Sequence, residues 1–426
     1  MRGNRFGSLL LLLLVGAISC GSTDVPDAPD VTFTRDVQPL LEQRCLSCHK
    51  DGGIAGIPFD SYQQVAPMAD LIVDAVERGT MPPWLAAAGC EEYADDPSLT
   101  DAQKAMLRRW LELGAPEGEP AERPTTPAAN TAALSRIDLE LFMVEPYSPR
   151  ADLSDDYRCF LIDWPEQTDM FVTGLGVIPG DTTVVHHVIT YVVHPQDVAS
   201  ARASDDADQG PGWSCFGGPD EATAGLGGWA PGTPPRQYPE GTGISVPAGS
   251  ALILEVHYHA SGVPSADTTS VVVQLEDTVE KQAEIVAIAN PSWLNDQGML
   301  IPAGDADVTH RFSFLAGYMV DEPFVIYDAT PHMHRRGVSE SLWIQRENGD
   351  VDCVLDVPRW DFDWQLTYAL AEPKVVYPGD TIGISCTFDN SAEHQPRDDD
   401  TGVHDVTWGE GTADEMCLGF YYVTLQ

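Results

Sequence analysis

Apolar positions recur at helical spacing between Val31 and Pro116, and in short β-type runs after residue 133. In TRDVQPLLEQRC, Leu40 and Leu41 fall on the side of Val37, which predicts an amphipathic helix ending at Cys45. MADLIVDAVERG predicts a second helix, stopped by Gly79 and the prolines of MPP. A third begins in LTDAQKAMLRRWLELGAPEG, where Thr100 and Gln103 have capping-box spacing and Gly114 with Pro116 marks the end. Residues 117–133, rich in Pro, Thr and Ala, read as a linker. Beyond it MFVTGLGV, VVHHVITYVV, SALILEVHYHA and TTSVVVQLE alternate with Gly, Pro and Asp turns. A second set follows: RFSFLAGYMV, PFVIYDATPHMH, SLWIQRENG, DTIGISCTF and LGFYYVTLQ. The pattern predicts a multidomain chain. An all-α domain over 31–116 precedes two all-β jelly-roll or sandwich domains, over 134–283 and 284–426.

The 426 residues carry 66 Asp and Glu against 23 Lys and Arg, a formal charge of -43. Such a balance excludes nucleic acid as a partner and disfavours anionic membrane surfaces. The first twenty residues, MRGNRFGSLLLLLLVGAISC, read as a targeting signal with Arg2 and Arg5 in its basic region and Leu9 to Val15 as its apolar region. That run is too short to remain as a membrane span. AISC has the form of a bacterial lipoprotein cleavage box, which would leave Cys20 lipidated; ordinary secretory cleavage nearby is the alternative. The chain is expected to be exported to the bacterial cell envelope, periplasm or outer membrane, and to meet the membrane only through that N-terminal lipid. Residues 21–30 then serve as a polar tether. In that compartment the remaining eight cysteines are available for oxidation or cofactor attachment.

CLSCH, Cys45 to His49, is a C-x-x-C-H sequence, the attachment signature of c-type haem, with Cys45 and Cys48 bonded to the porphyrin and His49 on the iron. A zinc site would want a second cysteine pair nearby, and Cys90 alone does not supply one. Met81, in GTMPPW, is the candidate sixth ligand of the iron, because two prolines would hold its loop rigid. Met68 and Met106 compete, although helical positions suit them to core packing. Trp84 and Trp110 read as core or haem-edge packing.

Histidines cluster in the β-region. His257 and His259, in EVHYHASG, are two apart in a strand and share a face, as do His332 and His334 in ATPHMHRRG. His186 and His187 are consecutive, and neighbours in a flat strand point to opposite faces. Both can meet one metal only where the strand twists or bulges. Three such clusters within about 150 residues of β-structure point to metal binding over surface histidines.

HHV, LILEVHYHA, HMH and the C-terminal GEGTADEMCLGFYY follow in that order. Over residues 135–426 the chain resembles the copper type II, ascorbate-dependent monooxygenases, the peptidylglycine α-hydroxylating and dopamine β-monooxygenase family, here with a cytochrome c domain in front as a bacterial form. The resemblance implies two copper ions, one held by His186, His187 and His257, the other by His332, His334 and Met416. His259 would then be accessory. It also implies disulfides Cys159–Cys215 and Cys386–Cys417. Cys90 and Cys353 have no counterpart and either pair across domains or stay free. A thioether favours Cu(I) and argues against zinc, and no Cys sits in a blue-copper grouping.

The implied activity is hydroxylation of a C–H bond with O2, its electrons arriving singly from a redox-protein or ascorbate-like donor through the fused haem c. In the peptide-hydroxylating branch an Arg, an Asn and a Tyr hold the substrate carboxylate; Thr330, Leu418 and Phe420 stand at those positions here. A small neutral or cationic, partly apolar substrate is therefore expected. Tyr421 and Tyr422 line the pocket or pack in the strand core, and Arg335 and Arg336 face substrate, the haem domain or solvent, with solvent the default reading. The alternatives are a non-enzymatic haem–copper electron-transfer or copper-holding envelope lipoprotein, and a sensing module with a degenerate site.

Overall fold

A computed structural model describes residues 30–426 except 52, 54, 95, 123–133, 154, 260–264, 295–297 and 397–401. The targeting signal with Cys20, nearly all of the tether and most of the 117–133 linker lie outside the described residues.

The N-terminal part is helical. A π-turn, Phe33–Val37, runs into Gln38–Arg44, and Asp101–Glu112 carries the capping box of Thr100 with Gln103. The segment read as one helix from MADLIV starts earlier and comes in three pieces, Tyr62–Val65, Ala66–Met68 and Ala69–Glu77. Pro67 supplies the reason, since it has no N–H to continue an α-helical ladder. Phe33, Val37, Leu41, Val65, Val73, Leu107 and Trp110 form the core of this part. Trp110 is fully buried and donates its indole N–H to the Pro116 carbonyl at 3.0 Å.

The remainder is β-structure. A five-stranded sheet runs Trp213–Ser214, Asp155–Asp163, Ala251–His259, Val185–Val193, Ala224–Trp229. A four-stranded sheet runs Val308–Leu315, Thr381–Phe388, Gly337–Gln345, Val351–Val357. Both pack against a nine-stranded sheet, and each interface encloses its own apolar core. The nine-stranded sheet passes through both halves. Its strand Lys281–Ile288 pairs antiparallel with Leu418–Leu425 and, at Lys281 and Gln282, parallel with Thr242–Val246. The 283/284 boundary thus falls inside a strand. Arg236 forms an ion pair with Asp328, and the Thr242 and Tyr422 hydroxyls lie 2.8 Å apart across the same junction.

The helical part is joined to the C-terminal half by residues 84–94. Cys90 bonds to Cys353. Ala94 and Ala371 donate backbone N–H groups to Ala369 and Glu92, covering the edge strand Tyr368–Val376. Leu85 is part of the C-terminal core, and Trp84 packs against it with its ring centroid 4.6 Å from that of Tyr368. Trp84 therefore belongs to a junction between units, whereas Trp110 is core.

Candidate metal centres and the C-x-x-C-H module

The consecutive histidines meet because their strand bulges. Val185 pairs with Tyr258 and His187 with His257, so His186 is an extra residue between two paired positions. The bulge turns both imidazoles to one side. Their Nδ1 atoms lie 3.2 Å apart, and the Nδ1 of His257 is 3.3 Å from that of His186 and 3.4 Å from that of His187. An ion at the centre of this nearly equilateral triangle would be about 1.9 Å from each nitrogen, close to the roughly 2.0–2.1 Å of metal–imidazole bonds. Among the described residues this is the cluster of three ligating side chains that closes on one point.

The surroundings fix the tautomers. His257 Nε2 is 2.8 Å from Asp155 Oδ1 and donates its proton there, which leaves Nδ1 as a lone pair toward the triangle. His259 Nδ1 lies 3.2 Å from the same oxygen, an accessory place. The Thr412 hydroxyl donates to Asp155 Oδ2 at 2.8 Å. Burial works against the Asp155 charge, but the hydrogen bonds from His257, His259 and Thr412 outweigh it and hold the carboxyl well below its usual range. Tyr157 stacks on the His257 ring at 4.2 Å and donates its hydroxyl to the Glu410 carbonyl. Desolvation lowers all three histidines, His186 to about 3, and neighbouring imidazoles add to the effect, so the trio is neutral at physiological pH.

The second group lies on the C-terminal half. His332 ends the strand Phe324–His332, opposite Leu418 in antiparallel register. Continuing that register by two residues sets Met416 against His334, and Met416 is buried. The His332 and His334 rings are 5.3 Å apart. His332 Nδ1 is 2.7 Å from Gln365 Oε1, and His334 Nδ1 is 3.2 Å from the Asp414 carbonyl. Both Nδ1 atoms are thereby engaged, and Nε2 is the ring nitrogen left to ligate on each. Two buried carboxyls hold the turn itself. Glu340 accepts the His332 backbone N–H, and Glu415 accepts those of His334 and Arg336. Arg336 is fully buried and also reaches Asn390, Gln395 and the Ala413 carbonyl, so the solvent-facing reading is wrong for this residue. The acceptors gathered around the guanidinium are what allow its charge to be buried. Arg335 lies over the Phe362 ring at 5.4 Å.

The two groups are neighbours. Phe362 stacks on His186 with centroids 4.7 Å apart and lies 6.2 Å from the His334 ring, edge to face. Thr412, hydrogen-bonded beside His257, is two residues from Asp414, whose carbonyl meets His334. Asp155, Thr412, Phe362, Gln365 and Glu340 were not legible as site residues. Asp155 stands directly across from His259 in the strand pairing, but only the fold shows which strands pair. Tyr421 and Tyr422 are core residues, the first in the C-terminal half and the second at the junction.

In the helical part Cys45 and Cys48 are free thiols, whereas the other six described cysteines form Cys90–Cys353, Cys159–Cys215 and Cys386–Cys417. Burial, reinforced by Cys48, pushes the Cys45 thiol up to about 12, unlike the lowered thiol of a redox C-x-x-C. His49 Nδ1 is 2.9 Å from the Ile57 carbonyl, and its ring stacks on Phe59 at 4.2 Å. A backbone acceptor on one ring nitrogen leaves the other to ligate. Met68 and Met106 sit partly buried against the helical core.

Residues 297–426 match the model of "Copper type II ascorbate-dependent monooxygenase, C-terminal domain". The likeness is to copper monooxygenases. Among curated proteins, "DBH-like monooxygenase protein 2" of Mus musculus is 24% identical over 257 residues, which cover 58% of this chain and 39% of that protein. "Dopamine beta-hydroxylase" of Canis lupus familiaris is 22% identical over 215 residues, covering 47% of this chain and 32% of that one. The chain thus spans about a third of the length of these relatives. The matched C-terminal segment contains His332, His334 and Met416.

Proposed function

We propose that the protein is a copper-dependent monooxygenase that hydroxylates a C–H bond of a small neutral or cationic organic substrate with O2, its electrons delivered one at a time through a haem c on Cys45, Cys48 and His49. The observation that carries the copper reading is the triangle of Nδ1 atoms, three neutral imidazole lone pairs at 3.2–3.4 Å with the right radius for a bound ion.

His186, His187 and His257 would hold one copper and His332, His334 and Met416 the other. Bound there, copper supplies one-electron redox chemistry and a place for O2 to react. The chain's own work is positional. Asp155 keeps the His257 proton on Nε2, and Gln365 and the Asp414 carbonyl orient the other pair of imidazoles. The Cys386–Cys417 bond pins the segment that presents Met416. Phe362, half-buried, lies against a ring of each group, with Arg335 over its face.

The strand faces support this substrate class. Thr330 and His332 share a face of one strand, and Phe420 and Leu418 lie opposite them on the next. All are half-buried, and the Thr330 hydroxyl is turned to that of Thr367 at 2.8 Å. Thr330, Leu418 and Phe420 offer no cation to a carboxylate on this wall, Arg335 lying instead over Phe362, and the acidic surface disfavours anions at long range. In the helical part the free thiols, the His49–Ile57 contact and the apolar edge of Leu46, Met68 and Met106 support a porphyrin, with Met81 the sixth ligand. The chain would act in the bacterial cell envelope, anchored through a lipid on Cys20.

The test is copper-loaded protein with a one-electron donor and 18O2, offered matched panels of neutral, cationic and carboxylate substrates. One labelled oxygen atom entering a neutral or cationic product is expected. Donor consumption with no labelled product from any panel would leave a carrier of electrons or copper.

A further inference from the structure

One short loop touches the helical part, at Gly79, and both histidine groups. Arg359, which is exposed, donates to the Gly79 carbonyl at 3.1 Å, two residues before Met81. The next residue, Trp360, is buried, and its indole N–H donates to the His334 carbonyl at 2.9 Å. Phe362 stacks on His186, and Gln365 meets His332 Nδ1 at 2.7 Å while donating to the Phe362 carbonyl at 3.1 Å. Residues 359–365 therefore connect the loop of the candidate sixth iron ligand to His334, His186 and His332.

The docking is fixed on both sides of this contact. Ala87 donates to the Asp356 carbonyl at 2.7 Å, Cys90 bonds to Cys353, Lys374 pairs with Glu91, and the Tyr93 hydroxyl donates to the Val354 carbonyl at 3.1 Å. A permanent covalent and sheet-edge attachment differs from the small, wet contacts of a transient redox encounter. It makes electron delivery an intramolecular step over a constant distance.

We infer that residues 359–365 are the electron entry to the copper centres, Arg359 and Trp360 acting as positioning residues that couple the Met81 loop to His334. The inference rests on the haem and copper reading above. With haem held by Cys45, Cys48 and His49 and copper held by the histidine groups, the step would be one electron passing from ferrous haem, left ferric, to one Cu(II), left as Cu(I), with no bond formed and no proton moved. The route runs from the Gly79 carbonyl through the Arg359 guanidinium, across one peptide unit, and through the Trp360 indole to the His334 carbonyl. A second contact, Trp84 on Tyr368, is the competing entry.

The experiment uses the full chain loaded with haem and copper. A flash-generated flavin radical reduces the haem anaerobically, and the decay of the ferrous band reports transfer to Cu(II), whose EPR signal falls in parallel. Arg359→Ala and Trp360→Phe are compared with Trp84→Leu and with the unaltered protein. Severalfold slower decay in Arg359→Ala and Trp360→Phe, with unchanged haem potential and unchanged resting copper EPR, supports the route. Wild-type decay in both overturns it, as does slowing confined to Trp84→Leu. Haemochrome and metal assays on the same samples separate the two levels, because absence of haem or copper removes the underlying reading together with the inference.

Discussion

Replacing Asp155 by Asn keeps the shape of the side chain and removes its charge. The carboxylate accepts the His257 Nε2 proton at 2.8 Å and the Thr412 hydroxyl at 2.8 Å, and it lies 3.2 Å from His259 Nδ1. A hydrogen bond to a charged group contributes roughly 1.5–3 kcal/mol and one between neutral groups about 0.5–1.5 kcal/mol, so each of the two strong contacts loses about 1 kcal/mol. The amide also offers only one acceptor where two are used, and its NH2 must face Thr412, His259 or His257. The total, about 2–3 kcal/mol, matches the roughly 10–100-fold loss of metal affinity typical when a ligand histidine loses its hydrogen-bond partner. The assay is copper binding by chelator competition, with EPR assigning each Cu(II) to its site. The histidine triangle should weaken by that factor and change its EPR parameters. The His332, His334, Met416 site acts as the internal control and should move far less. Unchanged affinity and spectrum at the triangle would refute the tautomer argument built on Asp155.

Three further predictions concern other parts of the chain. Cys90→Ala with Cys353→Ala opens a loop of 263 residues, for which chain entropy sets a loss of up to about 5 kcal/mol; calorimetry should show a lower Tm, and limited proteolysis should cut near residue 90 in the variant alone. Asp380 accepts the Tyr377 and Glu347 N–H groups and pairs with Arg346 at 2.8 Å, and although burial opposes its charge these contacts hold its carboxyl below the usual value. A depressed folded pKa gives stability that is present above about pH 4 and lost as pH falls through the folded value, so Asp380→Asn should cost about 3 kcal/mol at pH 7 and progressively less in acid, read from denaturant midpoints. Thr330→Arg places a cation beside His332, and binding measured by calorimetry should shift toward carboxylates; unchanged preference would remove this wall from the substrate site.

The chain's histidine patterns were more legible than its architecture. The H-x-H spacings and the helical and β periodicities are local, so MADLIVDAVERG, EVHYHASG and ATPHMHRRG could be read directly. The requirement that His186 and His187 need a bulge was a local deduction too, and the register shift beside His187 supplies it. What escaped were groups brought in by pairing across long separations. Asp155 reaches His257 through strand pairing, and Thr412 reaches Asp155 over 257 residues. Nothing in PRWDFDWQLT is periodic, yet this loop touches three of the histidines and the helical module. Trp84 falls inside the 31–116 segment read as one helical domain, whereas its packing partners belong to the C-terminal core.

The central claim is two distinct copper sites and one haem on a single chain, and metal analysis combined with EPR of the oxidised protein tests it most directly. The account predicts two type II Cu(II) signals per haem, with Met416→Ala altering one and leaving the histidine triangle as it was. One copper, no copper, or the signal of a blue-copper centre would contradict it.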